Sequence, residues 1–105
     1  MENVLIIDDS TFQAAQLKSI LDSEYEITIA QTAEDGLRSA GSGNFSLILL
    51  DVIMPDMDGF TLLKKLQGEI ITRNVPVILI TGLSDAANEQ HGLLLGAVDY
   101  ITKPF

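Results

Sequence analysis

The stretch that decides the fold is Ser46-Leu47-Ile48-Leu49-Leu50, followed by Asp51-Val52-Ile53-Met54-Pro55-Asp56-Met57-Asp58-Gly59. Its first part is apolar in its core without alternation, which is typical of a central strand covered on both faces of a parallel sheet. Its second part opens on a carboxylate and contains a proline and a glycine, residues that favour a turn. A buried strand that runs into an acidic turn directs attention to that edge of the sheet, because ligands of open parallel sheets bind there.

Similar apolar runs lie on both sides of this stretch and alternate with longer segments of helical periodicity, the pattern of repeated βα units. We predict strands at 3–7, 25–30, 46–50, 76–80 and 97–101. Helices are predicted from Ser10 to about Asp22, from Thr32 to about Ser39, from the turn at Gly59 to about Gly68, and from Ser84 to about Leu95. The predicted fold class is therefore α/β, a doubly wound parallel sheet.

Two of these helices carry more detailed predictions. Ser10 and Gln13 have the spacing of a capping box at the start of the first helix. Gly36 weakens the second helix, and 40–44 is predicted to be a loop. The predicted buried face of the first helix consists of Ala14, Leu17, Ile20 and Leu21.

Length and composition limit the possible functions. A chain of 105 residues with 47% hydrophobic residues predicts one domain, 1–105, with an ordinary core. The absence of cysteine excludes disulfides and thiolate metal sites. A net charge of −9 disfavours direct binding of nucleic acid. Because the chain starts without a basic stretch and Val4–Ile7 is too short to span a membrane, we expect a soluble cytoplasmic protein.

Ionisable groups follow the predicted strands at one edge of the sheet. Asp8 and Asp9 follow the first strand, Asp51 the third, Thr81 the fourth and Lys103 the fifth. Clustered carboxylates repel one another, and a hard divalent cation relieves that repulsion. An all-oxygen site with room for water suits Mg²⁺.

The same cluster predicts phosphoryl chemistry. A carboxylate such as that of Asp51 can act as a nucleophile and form an aspartyl phosphate. A bound Mg²⁺ would neutralise charge on the phosphoryl oxygens during an in-line transfer. Lys103 would place a positive charge on one phosphoryl oxygen, and the Thr81 hydroxyl would donate a hydrogen bond to another.

Taken together and in order, these motifs resemble the receiver domain of response regulators in two-component signalling. The resemblance extends from Asn3 to Phe105. It is carried by Asp8-Asp9, by the stretch from Asp51 to Gly59, and by Thr81-Gly82, Tyr100 and Lys103-Pro104-Phe105. Each motif alone is unspecific, whereas the ordered set at successive strand ends is specific.

The resemblance implies a strand order 2-1-3-4-5, as in flavodoxin-like folds, and a phosphorylation-dependent switch. Asp51 would be the phosphoacceptor, and Mg²⁺ would be bound by Asp9 and Asp51, by the backbone carbonyl of Ile53, and by Asp8 mainly through water. The donor would be a phosphohistidine on a histidine kinase or a histidine phosphotransfer protein. Thr81 and Tyr100 would be the switch residues.

The resemblance also implies a cis bond before Pro104, because proline makes that isomer tolerable. Such a domain is a phosphoacceptor, and it is not an enzyme beyond its own phosphorylation and dephosphorylation. Phe12, Gln13 and Gln16 lie near the active edge on the first helix, where we expect partner specificity to reside. His91, on the fourth helix, is interpreted as a surface residue.

Receiver domains end with a fifth helix, which this sequence lacks after Lys103-Pro104. The resemblance places the second to fourth helices on one face of the sheet and the first helix alone on the other. We therefore expect an exposed apolar patch beside the first helix, with a tendency to form a homodimer. We also expect the natural chain to continue with a helix and a C-terminal output domain.

Other functions of α/β domains fit these residues less well. A phosphatase of the haloacid dehalogenase type also uses an aspartate nucleophile and Mg²⁺, but it requires an acid two residues later, where Ile53 stands. A nucleotide-binding domain is disfavoured because no glycine-rich fingerprint follows the first strand. A degenerate receiver that acts only as a protein-binding module remains the alternative.

Overall fold

The computed structural model describes residues 1–82 and 86–103. Strands and helices alternate along these residues as β1 (Glu2–Ile7), α1 (Thr11–Leu21), β2 (Tyr25–Ala30), α2 (Ala33–Ser42), β3 (Leu47–Asp51), α3 (Gly59–Gly68), β4 (Val77–Thr81), α4 (Ala86–Leu94) and β5 (Asp99–Thr102). The strands form one parallel sheet with the order β2-β1-β3-β4-β5. The predicted fold class and strand order are confirmed.

The boundaries differ from the predicted ones by small shifts with physical causes. Asp51 and Thr81 are the last residues of β3 and β4, and do not follow them. The end of α2 at Ser42 lies within the predicted loop 40–44. The helix continues because Ala40 is buried and anchors the last turn against the core, so packing outweighs the low helix propensity of the glycines around it.

The sheet separates two hydrophobic clusters because successive side chains of a strand point to opposite faces. Along β1, Leu5 and Ile7 belong to the larger cluster, whereas Val4 and Ile6 belong to the smaller one. The larger cluster also contains Leu62, Leu63 and Leu66 of α3 and Ala33 and Ala40 of α2, and Gly92 of α4 lies against its Leu79. The smaller cluster is covered by Ala14 and Leu17 of α1. Among the helices that the structure describes, α1 is the one that covers this face, as predicted.

Beside α1, that face contains a groove of about 290 Å³ with apolar side chains around it. Its lining residues are Leu17, Ile20, Leu21, Leu47, Leu49, Ile78 and Ile101. The prediction that Ile20 is buried is wrong, because its side chain borders this groove and is 62% exposed. Self-association through the groove stays a prediction.

Three sequence predictions lie outside the described residues, namely the helix cap at Ser84, the cis bond before Pro104 and the motif position Phe105. Within the described part of the chain, no helix is long and apolar enough to cross a membrane.

Candidate functional site

Asp8 is a fully buried carboxylate at the end of β1. Its backbone N–H donates to the carbonyl oxygen of Ala30 at 3.0 Å, which continues the pairing with β2 and holds the residue in the sheet edge. Its Oδ1 accepts a hydrogen bond from the Ser10 N–H at 2.9 Å, whereas its Oδ2 is buried without a partner among the described residues. Burial raises the pKa of Asp8 to about 6, against the lowering effect of the Ser10 N–H and with a further rise from the charge of Asp51.

Because the Ser10 N–H donates to Asp8, the predicted capping box at the start of α1 forms only in part. The Ser10 hydroxyl accepts a hydrogen bond from the Gln13 N–H at 3.2 Å, as predicted. The reciprocal bond to the Gln13 side chain is absent, because the Ser10 N–H is already bound by Asp8. The Gln13 Oε1 is buried without a partner in the described structure. The start of α1 is therefore adapted to the carboxylate of Asp8, and the prediction of a complete box is wrong.

Asp51 ends β3 and is paired with the only cation predicted for the site. The Lys103 Nζ lies 3.2 Å from the Asp51 Oδ1, and both side chains are largely buried. The Ile53 N–H donates to the same Oδ1 at 3.3 Å. The parallel register explains this arrangement, because β4 lies between β3 and β5 and the Lys103 N–H donates to the Thr81 carbonyl at 2.9 Å.

The three acids predicted as a cluster are brought together. Asp8, Asp9 and Asp51 each offer a carboxylate oxygen, and these oxygens all lie within 4.8 Å of one another. Two of the acids are buried and Asp9 is exposed, so one side of the cluster is open to solvent. The donor set is all oxygen, and the Asp8 Oδ2 adds an acceptor that has no hydrogen-bond partner among the described residues. Both observations fit a hard divalent cation such as Mg²⁺.

The remaining predicted site residues lie around this cluster. Thr81 is buried at the end of β4, which is paired with β3. Tyr100 lies in β5 opposite Leu79, is half-buried, and packs against the larger hydrophobic cluster. The Ile53 side chain is 62% exposed beside Asp51. The ligand role of its carbonyl and the roles of Thr81 and Tyr100 stay predictions.

One acid of the site region has a role that the sequence did not reveal. Asp56 lies in the β3–α3 loop (52–58), which the sequence predicts to be a turn. Its carboxylate accepts hydrogen bonds from the Ala33 N–H at 3.1 Å and the Glu34 N–H at 3.3 Å, both in the first turn of α2. These hydrogen bonds lower the pKa of Asp56, and the bond from the Ala33 N–H has the larger effect. Because the partners lie 23 and 22 residues away along the chain, no local motif could have predicted them.

Asp58, in the same loop, has a local role. It is the N-cap of α3, with the Phe60 N–H donating to its Oδ1 at 2.8 Å. His91, interpreted from the sequence as a surface residue, is exposed and meets the ring of Phe60 edge-on, with ring centroids 4.7 Å apart.

Comparison with known proteins finds relatives that match nearly the whole chain. The family model for the response regulator receiver domain matches residues 4–105. The response regulator PleD of Caulobacter vibrioides is 40% identical over 102 residues, which are 96% of this chain and 22% of PleD. The transcriptional regulatory protein CiaR of Streptococcus pneumoniae is 36% identical over 105 residues, 100% of this chain and 46% of CiaR. The chain thus spans less than half the length of these curated relatives.

Solved structures agree with the fold described above. The receiver domain of the Francisella response regulator 1452 has a TM-score of 0.92 and 34% identity, over 100% of this chain and 86% of that one. The chemotaxis protein CheY4 of Vibrio cholerae has a TM-score of 0.93 and 29% identity, over 100% of this chain and 88% of that one. From the ordered motifs, the 2-1-3-4-5 sheet, the clustered acids and these matches together, the chain belongs to the response regulator receiver domain family of two-component signalling.

Proposed function

We propose that this receiver domain is a phosphorylation-dependent switch that accepts a phosphoryl group on Asp51 with the help of Mg²⁺. The observation that carries the proposal is the environment of Asp51. Its carboxylate is buried, lies within 4.8 Å of two further acids and is contacted by the Lys103 ammonium at 3.2 Å. A set of acids with one lysine and an adjacent threonine supplies metal ligands, a nucleophile and donors for phosphoryl oxygens.

Mg²⁺ would be held by Asp9, Asp51 and the Ile53 carbonyl, with Asp8 acting mainly through water. When bound, the ion supplies positive charge that offsets the charge of the phosphoryl oxygens. The unpartnered Asp8 Oδ2 supports this assignment, because it is an acceptor without a donor in the described structure.

In the proposed transfer, a carboxylate oxygen of Asp51 forms a bond to phosphorus while the bond between phosphorus and the donor imidazole nitrogen breaks. The electrons of that bond stay with the imidazole, and the phosphoryl group ends as an acyl phosphate. Oδ1 already accepts hydrogen bonds from Lys103 and Ile53, which favours Oδ2 as the attacking oxygen. Lys103 and the Thr81 hydroxyl then bind phosphoryl oxygens.

The signal would leave the site through Thr81 and Tyr100. Thr81 is buried at the strand end next to Asp51, and Tyr100 packs on the larger cluster from the adjoining β5. Movement of the Thr81 side chain onto a phosphoryl oxygen would leave space for the Tyr100 ring to move inward. The surface near β5 and α4 would then change and be read by a partner.

The proposed donor is a histidine kinase or a histidine phosphotransfer protein that docks at α1. Phe12 supports this choice, because it is 72% exposed one turn after Asp8 and Asp9. A cytoplasmic location and an output domain linked to this one belong to the same proposal. Direct binding of nucleic acid by this domain is not expected, given the net charge of −9.

Incubation with acetyl phosphate and Mg²⁺, followed by intact-protein mass spectrometry, tests the proposal. We expect one added phosphoryl group on the wild type and on Asp58→Asn, and none on Asp51→Asn. Equal modification of Asp51→Asn would remove Asp51 from its role. An unmodified wild type would support the alternative, a receiver fold that acts only by binding other proteins.

A further inference from the structure

The β3–α3 loop (52–58) is fixed at its base. The Gly59 N–H donates to the Val52 carbonyl at 2.8 Å and closes the loop. A Cβ at Gly59 would lie 2.6 Å from both the Asp51 carbonyl oxygen and the Val52 Cα, so only glycine permits this closure without a shift of backbone. The segment from Ile53 to Asp58 therefore projects from a tight base directly after the phosphoacceptor strand.

Toward its tip, the loop is bound to a different element. The Asp56 Oδ1 and Oδ2 accept hydrogen bonds from the Ala33 and Glu34 N–H groups at 3.1 and 3.3 Å. The next N–H, that of Asp35, donates to the Thr32 hydroxyl at 3.0 Å. The first turn of α2 thus has a local cap in Thr32 and a second, distant one in Asp56. A carboxylate at a helix N-terminus is also favoured by the helix dipole.

The N-terminal half of α2 also contacts the last residue of β1. A Cβ at Gly36 would lie 2.6 Å from the Cδ1 of Ile7, so the backbone of α2 lies directly on that side chain. Ile7 is followed by Asp8. One short helix therefore contacts two segments that are joined to the acidic cluster along the chain: the β3–α3 loop, through Asp56, and the end of β1, through Ile7.

We propose that Asp56 is a positioning residue of the metal site, which ties the β3–α3 loop to α2 and thereby fixes the Ile53 backbone relative to Asp8. The inference rests on the proposed Mg²⁺ function of the cluster. It predicts that Mg²⁺ binding changes the backbone environment at the start of α2, although none of the proposed metal ligands lies there. A simple helix cap would stabilise α2 without this coupling.

Asp58 provides the matched control. It carries the same charge in the same loop and also caps a helix, but its hydrogen bonds go to Phe60 and Thr61 of the helix that it starts. Removing Asp58 therefore removes a charge and a cap without releasing the loop from a second element. Asp56→Asn supplies the conservative variant, because an amide oxygen still accepts one of the two hydrogen bonds.

The test is a Mg²⁺ titration followed by backbone amide chemical shifts in wild type, Asp56→Ala, Asp56→Asn and Asp58→Ala. In the wild type we expect Ala33 and Glu34 to shift with the same dissociation constant as Ile53. In Asp56→Ala the dissociation constant should rise by about tenfold, the low end for residues that orient ligands. The response at Ala33 and Glu34 should also be lost. Asp56→Asn should recover most of both effects, and Asp58→Ala should leave both as in the wild type.

The wild-type spectra alone separate the two proposals. If no amide near Asp9, Asp51 or Ile53 responds to Mg²⁺, the proposed metal function fails, and the positioning role fails with it. If those amides respond while Ala33 and Glu34 do not, the metal function stands and the positioning role is overturned. Equal affinities for wild type and Asp56→Ala would overturn it as well.

Discussion

The acidic cluster at the strand ends and the β3–α3 loop beside it contain the same side chain in opposite settings. In the cluster, Asp8 is fully buried, one of its oxygens has no partner in the described structure, and its pKa is raised to about 6. In the loop, Asp56 and Asp58 are exposed and accept hydrogen bonds from helix N-termini. The pKa of Asp56 is lowered.

The comparison distinguishes acids that stabilise the fold from acids that lower its stability. A carboxylate at a helix N-terminus satisfies N–H groups that have no partner inside the helix. A buried carboxylate beside a second one lowers stability unless a cation or a proton offsets the charge. The Lys103 ammonium offsets the negative charge of Asp51. The charge of the Asp8 carboxylate remains, and a bound Mg²⁺ would offset it.

The largest expected effect is on stability without metal. Because the folded-state pKa of Asp8 is raised from 3.8 to about 6, the folded protein binds more protons than the unfolded chain between these values. This contribution to stability is complete below about pH 4 and is lost as the pH rises through about 6. Asp8→Asn should therefore be more stable than the wild type near pH 7, by up to about 3 kcal/mol, with little difference near pH 4. Urea unfolding across this pH range measures it, and a difference that does not vary with pH would contradict the sign.

The second expected effect is on metal affinity. Asp9→Ala removes a proposed direct ligand and should raise the Mg²⁺ dissociation constant well beyond the increase of about tenfold expected for Asp56→Ala, because a direct ligand contributes more than a residue that only positions one. Asp58→Ala removes one negative charge a short distance away and should change the constant by less than about twofold, since exposed charges are well screened. Chemical-shift titration at constant ionic strength decides between them. Similar affinities in both variants would mean that overall charge, and not the cluster, attracts the ion.

The smallest expected effect concerns the loop as a structural element. Asp58→Ala removes the N-cap of α3 and should lower the free energy of unfolding by about 1 kcal/mol. Asp58→Asn should keep most of that stability, because asparagine is an equally good N-cap. Thermal melting of both variants measures it. A loss of the same size in both would place the role of Asp58 in its charge and not in its hydrogen bonds.

The sequence predicted the fold and the meeting of the acids for one physical reason. Parallel strands end at the same edge, so residues after successive apolar runs come together even when far apart in the chain. Asp8, Asp51 and Lys103 follow that rule. What the sequence could not predict depends on competition between partners in space. Ser10 has two possible acceptors and binds Asp8, and Asp56 binds a helix that begins 23 residues earlier. Ile20 has helical spacing for burial but borders an apolar groove beside α1 and is exposed.

The most direct test of the central claim is the melting temperature of the wild type with and without Mg²⁺, at about pH 8 and about pH 4, with ionic strength matched by sodium chloride. Ligands that bind only the folded state raise its stability. We predict that Mg²⁺ raises the melting temperature near pH 8, has little effect near pH 4 where Asp8 is protonated, and has little effect on Asp9→Ala at either pH. If Mg²⁺ stabilises wild type and Asp9→Ala equally near pH 8, or stabilises neither, the acids at the strand ends are not the metal site described here.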